Sequence, residues 1–512
     1  MKITIQLLLE TNEQAGKAPI VEEIFSFERT EQGDKLAPES LGLTLEEAKS
    51  LLASVQKKLV SEQVTNYLSQ KSNCPQCHKA YQHKGQHKIS YSTLFGKLKL
   101  DSPRFYRCEC QGEHEPEGRP EKDRKRKRTS FSPLADLLPE HTAPEFTYLQ
   151  TKWAALMSYG LTSQILKEVL PLDKPISTSV LSKKVKQVAL RSDSELGEER
   201  PIFIEGCQAE WEALPPPAPP LTVGVDGGYV RGREGKDRRF GNFEVIVGKS
   251  MPAPGQGPNK RFGYVSCYDT KPKRRLFDLL KSQGMQFNQQ VTFLSDGGDT
   301  VRDLQLYLNP QDEQILDWFH VAMRLTVLSQ FVKGLPSLPE PLVKGKGKGK
   351  KVVKEYQEDD LPNPKPEEIT KKLEQVKWYL WHGNTYNALQ KLDDLEFDLE
   401  PVEEKGVVFN KLYLKVVEFK GYIKANQQYI VNYGDRYRND ETISSSFVES
   451  TVNEVISKRF VKRQQMRWTK AGAHQLLQVR ILVLNKELRT TFGRWYPGMK
   501  VEDVKEEQKA VA

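Results

Sequence analysis

The stretch LTVGVDG at residues 221–227 is an apolar run that ends in an Asp-Gly pair. Short apolar runs bounded by turn residues are typical of strands buried inside a sheet. Helical patterns at 272–284 and 299–308 lie between further runs of this kind. Those further runs are FEVIVG (243–248), FGYVSCYD (262–269), VTFLSD (291–296) and EQILDWFH (313–320). The alternation predicts a mixed α/β sheet layered by helices.

Two aspartates each end a predicted strand of this sheet and are each followed by two glycines. Asp226 lies in VDGG and Asp296 lies in SDGG. Acids at the carboxyl ends of neighbouring strands lie where α/β sheets bind their ligands, and the glycines would let a ligand and its metal approach the backbone. The alternative is that Asp-Gly is turn chemistry alone. Two such turns on strands of one sheet favour a functional site.

Further polar residues of interest lie beyond these strands. Glu449 lies in SSSFVESTVNE, near the start of a predicted amphipathic helix. Taken alone, Ser446 and Glu449 fit a capping box, and Glu454 is the alternative acid. Asp317 and His320 lie three residues apart on one face of a predicted helix, so either could contact a phosphate or position a neighbour. A structural histidine is the alternative there.

Changes in composition divide the rest of the chain. A length of 512 residues predicts about three domains, and the proline-rich stretch ALPPPAPP at 213–220 separates a helical region from the sheet. The N-terminal region holds a predicted strand at 2–9 and a predicted helix at 44–68. The predicted segments are this strand and helix region (1–70), a cysteine-containing module (71–118), a helical domain (119–212), the first part of the core (213–330), a helical insertion with a Lys/Gly linker (331–440), and the final helix with a basic segment (441–512).

The composition excludes several classes of protein. Apolar residues make up 38% of the chain and charged residues 28%, which is ordinary for a folded protein and excludes wholesale disorder. No stretch approaches the ~18 apolar residues of a membrane helix, so an integral membrane protein is not expected. The N-terminal MKITIQLLLE predicts a strand rather than a signal peptide.

The charge distribution favours a polyanionic partner. The chain has 77 Lys and Arg residues against 68 Asp and Glu residues, which gives a formal net charge of +9. The basic residues are bunched at 121–129, 344–354 and 457–470. Blocks like these favour nucleic acid as the partner. Any single block could equally be a solvated face or a flexible linker.

Four of the six cysteines form two close pairs, CPQC at Cys74 and Cys77 and CEC at Cys108 and Cys110. This arrangement is typical of a zinc ribbon, in which two β-knuckles supply four thiolates to a structural ion. The CEC pair has one intervening residue instead of two, so His114 could replace one thiolate. The alternative is four free thiols without a metal. Six cysteines are too few for a disulfide scaffold, which favours a reducing cytoplasm.

Three helical patterns precede the proline-rich stretch, at 146–159, 161–172 and 177–191. The second could begin with Thr162 as its N-cap. Two helices, a short turn and a basic third helix fit a helix-turn-helix that binds DNA. A helical bundle that only packs is equally compatible with the pattern. The basic residues of the third helix are Lys183, Lys184, Lys186 and Arg191.

Four stretches carry a family resemblance: GVDGGYV around Asp226, SDGG around Asp296, DWFH at 317–320, and ISSSFVESTVNEVISKRFVKRQQMRWTKAGAHQLLQVRILVLN at 443–485. Together they resemble the bacterial insertion-sequence DDE transposases of the ISKra family, with wider similarity to Mutator-like transposases. The CPQC segment and LLPEHTAPEF (137–146) also resemble the N-terminal region of that family. The resemblance runs from about residue 70 to about residue 490.

The resemblance implies an RNase H-like fold in which Asp226, Asp296 and Glu449 are the catalytic acids. They would hold two Mg²⁺ ions, which Mn²⁺ could replace, because hard divalent ions prefer carboxylate oxygens and two ions can assist both the attacking and the leaving oxygen. It implies hydrolysis at the ends of the element and then attack of the freed 3′-hydroxyl on target DNA, in the bacterial cytoplasm at the nucleoid. The CEC pair departs from the usual spacing of the family.

The resemblance also implies double-stranded DNA, at the transposon ends and at the target, as the partner of a homo-oligomer in the synaptic complex. DWFH resembles a [C/D]-x-x-H motif that handles DNA near the cleavage site, so Asp317 and His320 would lie at the DNA. The zinc-ribbon-like module and the helix-turn-helix-like domain would recognise the ends. Basic residues after Glu449 would follow the DNA backbone; they are Lys458, Arg459, Lys462, Arg463, Arg467 and Lys470.

Two alternatives to an active transposase stay open. One is a catalytically inactive or domesticated DNA-binding regulator derived from such an enzyme. The other is a stand-alone RNase H-like nuclease. The presence of all three expected acids favours an active enzyme, and the long N-terminal portion with the large insertion disfavours a stand-alone nuclease.

Overall fold

The computed structural model describes residues 2–9, 20–28, 41–108, 110, 129–203, 206–233, 241–298, 304, 312–335, 364–400, 407–461 and 466–499. The chain divides into two compact units, Met1–Leu190 with Lys486–Ala512, and Arg191–Asn485. Several predicted features lie outside the described residues: the helix at 299–308 apart from Leu304, the basic tract at 344–354, the block at 121–129 apart from Thr129, and His114.

The first unit begins with an antiparallel hairpin of β1 (Lys2–Leu9) and β2 (Ile20–Glu28). The helix α1 (Leu45–Gln70) follows. A capping box fixes its start, because the Thr44 hydroxyl accepts a hydrogen bond from the Glu47 amide and the Glu47 carboxylate accepts one from the Thr44 amide. The strand predicted at 2–9 and the helix predicted at 44–68 are confirmed.

A three-stranded antiparallel sheet forms the middle of the first unit. Its strands are β3 (His83–Thr93), β4 (Gly96–Tyr106) and β5 (Ser130–Phe131). The short helix α2 (Pro133–Leu137) places Leu134 in a core with apolar residues of β3 and β4, and α1 packs against the same core.

Three helices follow, as predicted: α3 (Pro144–Leu156), α4 (Tyr159–Val169) and α5 (Thr178–Glu195). The N-cap of α4 is Ser158, whose hydroxyl accepts a hydrogen bond from the Leu161 amide over 3.2 Å. Thr162 lies buried inside this helix. The prediction that Thr162 is the N-cap is therefore wrong.

The second unit contains a five-stranded mixed sheet, which confirms the predicted α/β class. The short helix α6 (Gln208–Glu212) precedes it. Its strands are β6 (Leu221–Arg231), β7 (Asn242–Met251), β8 (Lys260–Val265), β9 (Val291–Ser295) and β10 (Asp312–Leu316). They lie in the order β10-β9-β6-β7-β8. The neighbours β6, β7 and β8 pair antiparallel, whereas β9 and β10 run parallel to β6.

Helices cover both faces of this sheet. On one face, Leu276 and Leu280 of α7 (Pro272–Ser282) join a core with Val223 and Val225 of β6. Side chains alternate along a strand, so Gly224, Asp226 and Gly228 point to the opposite face.

A helical region follows β10. Its helices and the ends of β9 and β10 share one apolar core, which includes Leu294, Leu316 and Leu325. A break at Gly383, which has φ of +72°, separates the second helix from the third. The helices are α8 (Trp318–Lys333), α9 (Pro366–Trp381), α10 (Thr385–Asp398), α11 (Val407–Asn426) and α12 (Tyr433–Arg438).

The helix predicted at 447–461 is present after this helical region. It consists of α13 (Ser446–Val452) and a π-helical continuation, Asn453–Val461, and α14 (Lys470–Leu484) follows. The last helix, α15 (Leu488–Trp495), belongs to the first unit. None of the helices in the described part of the chain is long and apolar enough to cross a membrane.

Candidate active site and metal centre

Asp226 lies in β6, and Asp296 directly follows the neighbouring parallel strand β9. β6 pairs with β9 so that Gly224 lies opposite Leu294, an offset of 70 residues. Asp226 and Asp296 are separated by the same offset, so the register places them beside each other. Asp296 follows the last residue of β9, as predicted. Asp226 lies in the middle of β6, which continues to Arg231, so the prediction that it ends its strand is wrong.

The carboxyl group of Asp226 has a raised pKa. Burial is the largest cause, and the negative charges of Asp296 and Asp317 act in the same direction, whereas the Gly227 amide and His320 oppose them. The Gly227 amide donates a hydrogen bond to Asp226 Oδ1 over 2.7 Å. Half-buried carboxylates that repel one another in this way gain stability when a divalent cation binds.

The helical region after β10 holds the turn that carries Asp296. The Tyr422 hydroxyl donates to the main-chain carbonyl of Asp296 over 3.0 Å, and the Arg324 guanidinium lies 4.2 Å from the centre of the Tyr422 ring. Gly297 has φ of +80°, and a Cβ there would clash with Asn426. Through these contacts, Tyr422 and Asn426 of α11 fix the turn that follows β9. No local pattern in the sequence predicts them.

Asp317 follows β10, the parallel strand on the other side of β9. Its amide donates to the Ser295 carbonyl over 2.8 Å, and its side chain is completely buried. Its carboxylate caps α8 by accepting from the Phe319 amide over 2.9 Å, and His320 Nε2 lies 3.5 Å from Asp317 Oδ2. A fully buried carboxylate cannot reach DNA, which corrects the prediction that Asp317 contacts it. The His320 side chain is partly exposed.

Gly224 and Gly228 bring α13 and its continuation close to the sheet. A Cβ on Gly224 would lie less than 3.0 Å from the side chains of Phe447 and Val448, and one on Gly228 would lie 2.8 Å from Ile456 Cδ1. The glycines were predicted to admit a ligand to the backbone. Because Gly228 has no side chain, it instead leaves space for the helical segment that carries Glu449. Gly224, two positions before Asp226, leaves space for the same segment.

Replacing Gly224 by alanine is expected to lower the free energy of unfolding by about 2 kcal/mol, because the new methyl group overpacks the contact with Val448. Chemical denaturation measures this change. The matched control is Gly421→Ala in α11, where a Cβ meets nothing within 4 Å. That change is expected to stabilise the protein by up to about 1 kcal/mol, because alanine has the higher helix propensity. Equal effects of the two substitutions would contradict the close packing of α13.

Glu449 lies on the exposed side of α13. The N-cap of α13 is Ser445, and its side chain makes no capping hydrogen bond, so the predicted capping box of Ser446 and Glu449 is absent. Glu454, the alternative acid, is paired with Arg261 at 2.8 Å. Among the described residues, the four-cysteine cluster is the only group of three or more acids, histidines or cysteines with ligand atoms all within 4.8 Å. The three acids therefore do not converge to single-ion distances.

The basic residues predicted to bind DNA differ in exposure. Lys183, Lys458, Arg467 and Lys470 are exposed. Burial lowers the pKa of Lys184, which is half-buried. Lys462 and Arg463 lie outside the described residues.

Arg459 is placed differently from the other basic residues of its helix. It is only 1% exposed, and its guanidinium lies 5.3 Å from the centre of the Trp468 ring. This burial corrects the prediction that Arg459 follows the DNA backbone.

The four paired cysteines converge into one cluster in the first unit. The Sγ atoms of Cys74 and Cys110 are 3.4 Å apart, as are those of Cys77 and Cys108, and all four lie within 4.8 Å of one another. The backbone turns tightly after Cys74, whose amide donates to the Lys79 carbonyl over 2.9 Å. Four thiolates at these distances can hold one metal ion such as zinc.

The thiol pKa values within the cluster diverge. A hydrogen bond from the Cys77 amide is the largest cause that lowers the pKa of Cys74 to about 6, and the Cys110 amide likewise lowers that of Cys108. The pKa of Cys110 is raised, chiefly by its contact with Cys108. A cluster that releases protons readily at Cys74 and Cys108 is suited to binding a cation.

A buried histidine network lies outside the predicted site residues. His474, in the GAH stretch of α14, is 2% exposed, and its Nε2 atom lies 3.0 Å from Arg275 Nη2. Arg275 Nε also pairs with Asp269 Oδ2 at 2.6 Å and Arg275 Nη1 with Asp193 Oδ1 at 2.9 Å. A guanidinium only donates, so His474 accepts at Nε2 and is neutral. No local pattern predicts this network, because its partners lie far apart in the chain.

The stability of the second unit is expected to fall below neutral pH. Burial is the largest cause that lowers the pKa of His474 from 6.5 to about 4, and the charge of Arg275 is the next. Between these two pH values, His474 is therefore protonated in the unfolded chain and neutral in the folded chain. This contribution is present above pH 6.5 and is lost as the pH falls towards 4. The loss amounts to about 2 kcal/mol between pH 7 and pH 4.5. Chemical denaturation of wild type and His474→Gln at both pH values measures it, and an equal pH dependence in both proteins would contradict the assignment.

A scan against protein-family models finds no match, and no curated protein matches the chain.

Proposed function

We propose that this protein is a DDE transposase with an RNase H-like core, similar to the ISKra family of insertion-sequence enzymes. The observation that carries the proposal is the parallel register of β6 and β9, which brings Asp226 of β6 beside Asp296, the residue that follows β9. The strand order β10-β9-β6-β7-β8, with three antiparallel strands followed by two parallel ones, supports an RNase H-like core. Asp226 and Asp296, with Glu449 from α13, would be the catalytic acids.

The donor set fits Mg²⁺. Asp226 and Asp296 offer hard carboxylate oxygens, and the raised pKa of Asp226 reflects burial and repulsion that a divalent cation would relieve. When bound, two Mg²⁺ ions would help to form the attacking oxygen nucleophile and stabilise the leaving oxygen of the phosphodiester. The two ions of such a site lie about 3.5–4 Å apart, so the carboxylates that bind them need not all coordinate the same ion. Glu449 is exposed and has no capping hydrogen bond to give up.

The chain's own residues would place DNA against these acids. The exposed side chains of Lys458, Arg467 and Lys470 follow Glu449 in the chain and would bind backbone phosphates without sequence preference. In the first unit, the cysteine cluster with structural Zn²⁺ and the helices α3–α5 would recognise transposon ends. We propose a homo-oligomer as the form that brings two ends together.

The purified full-length protein with candidate end DNA tests the proposal. In Mg²⁺ it is expected to cut at the element's end, release a 3′-hydroxyl, and join that end to a second DNA molecule, whereas Ca²⁺ or a chelator should allow binding without cutting. Binding without cutting in Mg²⁺ would instead identify a DNA-binding regulator. Cutting without joining would identify a nuclease.

A further inference from the structure

We infer that Asp317 is a positioning residue that acts through Ser445 to hold the helix of Glu449 against Asp226 in β6 and Asp296 at the end of β9. The inference rests on the proposed function, in which Glu449 is the third catalytic acid. The contacts between these residues form a continuous path from the end of β9 to the first turn of α13.

The path starts at the sheet. The Asp317 amide donates to the Ser295 carbonyl over 2.8 Å, one residue before Asp296. The Tyr433 hydroxyl donates to the Leu316 carbonyl over 2.7 Å. These two hydrogen bonds fix the backbone of Asp317 relative to the end of β9, so its side chain projects from a rigid position.

The buried carboxylate of Asp317 then holds the segment that precedes α13. Asp317 Oδ1 accepts from the Ser445 amide over 2.9 Å, and Oδ2 accepts a hydrogen bond from the Ser445 hydroxyl. The Ile443 carbonyl accepts from the Trp318 amide over 3.2 Å, so the two segments are joined on both sides of this contact. Both carboxylate oxygens accept hydrogen bonds from the same residue, so Asp317 is a firm anchor for Ser445.

Ser445 passes this restraint to Glu449. The Ser445 carbonyl accepts hydrogen bonds from the Val448 amide over 2.6 Å and from the Glu449 amide over 3.2 Å. Val448 is also the residue that packs against Gly224 of β6, two positions before Asp226. Ser445 is the N-cap of α13, yet its hydroxyl contacts Asp317 and not the helix amides. A serine at an N-cap normally caps its own helix, so the contact with Asp317 replaces that role.

An N-cap role in α8 alone does not account for these contacts. One oxygen of Asp317 is enough to accept from the Phe319 amide, which caps α8. The second oxygen contacts the Ser445 hydroxyl and lies 3.5 Å from His320 Nε2. Complete burial of the carboxylate would be costly without these partners. Asp317 therefore holds Ser445 in addition to capping α8.

The substitution Ser445→Ala tests the inference, because it removes the hydroxyl and keeps the amide contact. The matched control is Ser446→Ala, which removes an exposed hydroxyl from the next residue. Amide hydrogen exchange at 446–452 in the protein without DNA or metal is expected to be about tenfold faster in Ser445→Ala and unchanged in the control. The Mg²⁺ concentration that gives half-maximal cleavage is expected to rise about tenfold in Ser445→Ala, with the affinity for end DNA unchanged.

The outcomes separate this inference from the proposed function. Unchanged exchange in Ser445→Ala would overturn the inference whatever the activity. Slower cleavage with an unchanged Mg²⁺ requirement would also overturn it, because a misplaced Glu449 must weaken metal binding. If wild type binds end DNA and does not cut it in Mg²⁺, the proposed function fails, and the exchange measurement alone then decides whether Asp317 holds α13.

Discussion

Asp226→Asn is expected to lower Mg²⁺-dependent cleavage of end DNA by at least about a thousandfold, with the affinity for that DNA within about threefold of wild type. The amide keeps the size of the side chain and removes the charge that a cation requires. DNA affinity should persist because it arises from basic residues elsewhere in the chain. Cleavage assays and binding titrations on one preparation measure both quantities.

The same substitution is expected to raise the stability of the protein without metal. Burial and the neighbouring acids Asp296 and Asp317 raise the pKa of Asp226, so its charged form is disfavoured in the folded state at neutral pH. Removing the charge should therefore raise the denaturation midpoint at pH 7. The control is Asp435→Asn, which removes an exposed carboxylate paired with Arg438 at 3.1 Å and should leave cleavage unchanged. Full cleavage by Asp226→Asn would refute its proposed catalytic role.

Removal of metal from the cysteine cluster is expected to have the second large effect. A strong chelator should lower the free energy of unfolding of the first unit by at least about 3 kcal/mol, because four thiolates of one cluster then lose their common cation. Recognition of end DNA should be lost at the same time if this module reads the ends. Metal analysis should find one Zn²⁺ per chain before chelation.

Two substitutions separate a metal effect from a general effect of cysteine loss. Cys74→Ser removes a buried ligand and should abolish metal binding. Cys267→Ser changes an exposed cysteine outside the cluster and should leave both the metal content and the stability near wild type. Equal metal content in the two variants would show that the cluster binds no zinc.

Much of the sheet could be predicted because its signals are local. Apolar runs such as LTVGVDG and VTFLSD specify buried strands, and the 70-residue spacing of Asp226 and Asp296 equals the register of β6 and β9. The ends of the strands could not be predicted in the same way. Asp226 is followed by two glycines that suggest a turn, yet the strand continues through them, because both glycines pair with β7.

The surroundings of the acids could not be predicted, because they depend on contacts between distant residues. Ser445 and Asp317 are 128 positions apart, and Tyr422 and Asp296 are 126 positions apart. No local periodicity encodes such pairs. The burial of Arg459 could not be predicted for a different reason. A basic residue in a basic block suggests an exposed side chain, whereas Arg459 is 1% exposed and its guanidinium lies 5.3 Å from the centre of the Trp468 ring.

A comparison of Glu449→Gln with Glu454→Gln tests most directly whether three carboxylates form one metal site. The two acids lie five residues apart in one continuous helical segment, and Glu454 is already paired with Arg261. Cleavage of end DNA in Mg²⁺ should fall at least about a thousandfold in Glu449→Gln and stay within about threefold of wild type in Glu454→Gln. Wild-type cleavage by Glu449→Gln, or loss of cleavage in Glu454→Gln alone, would contradict the proposed site.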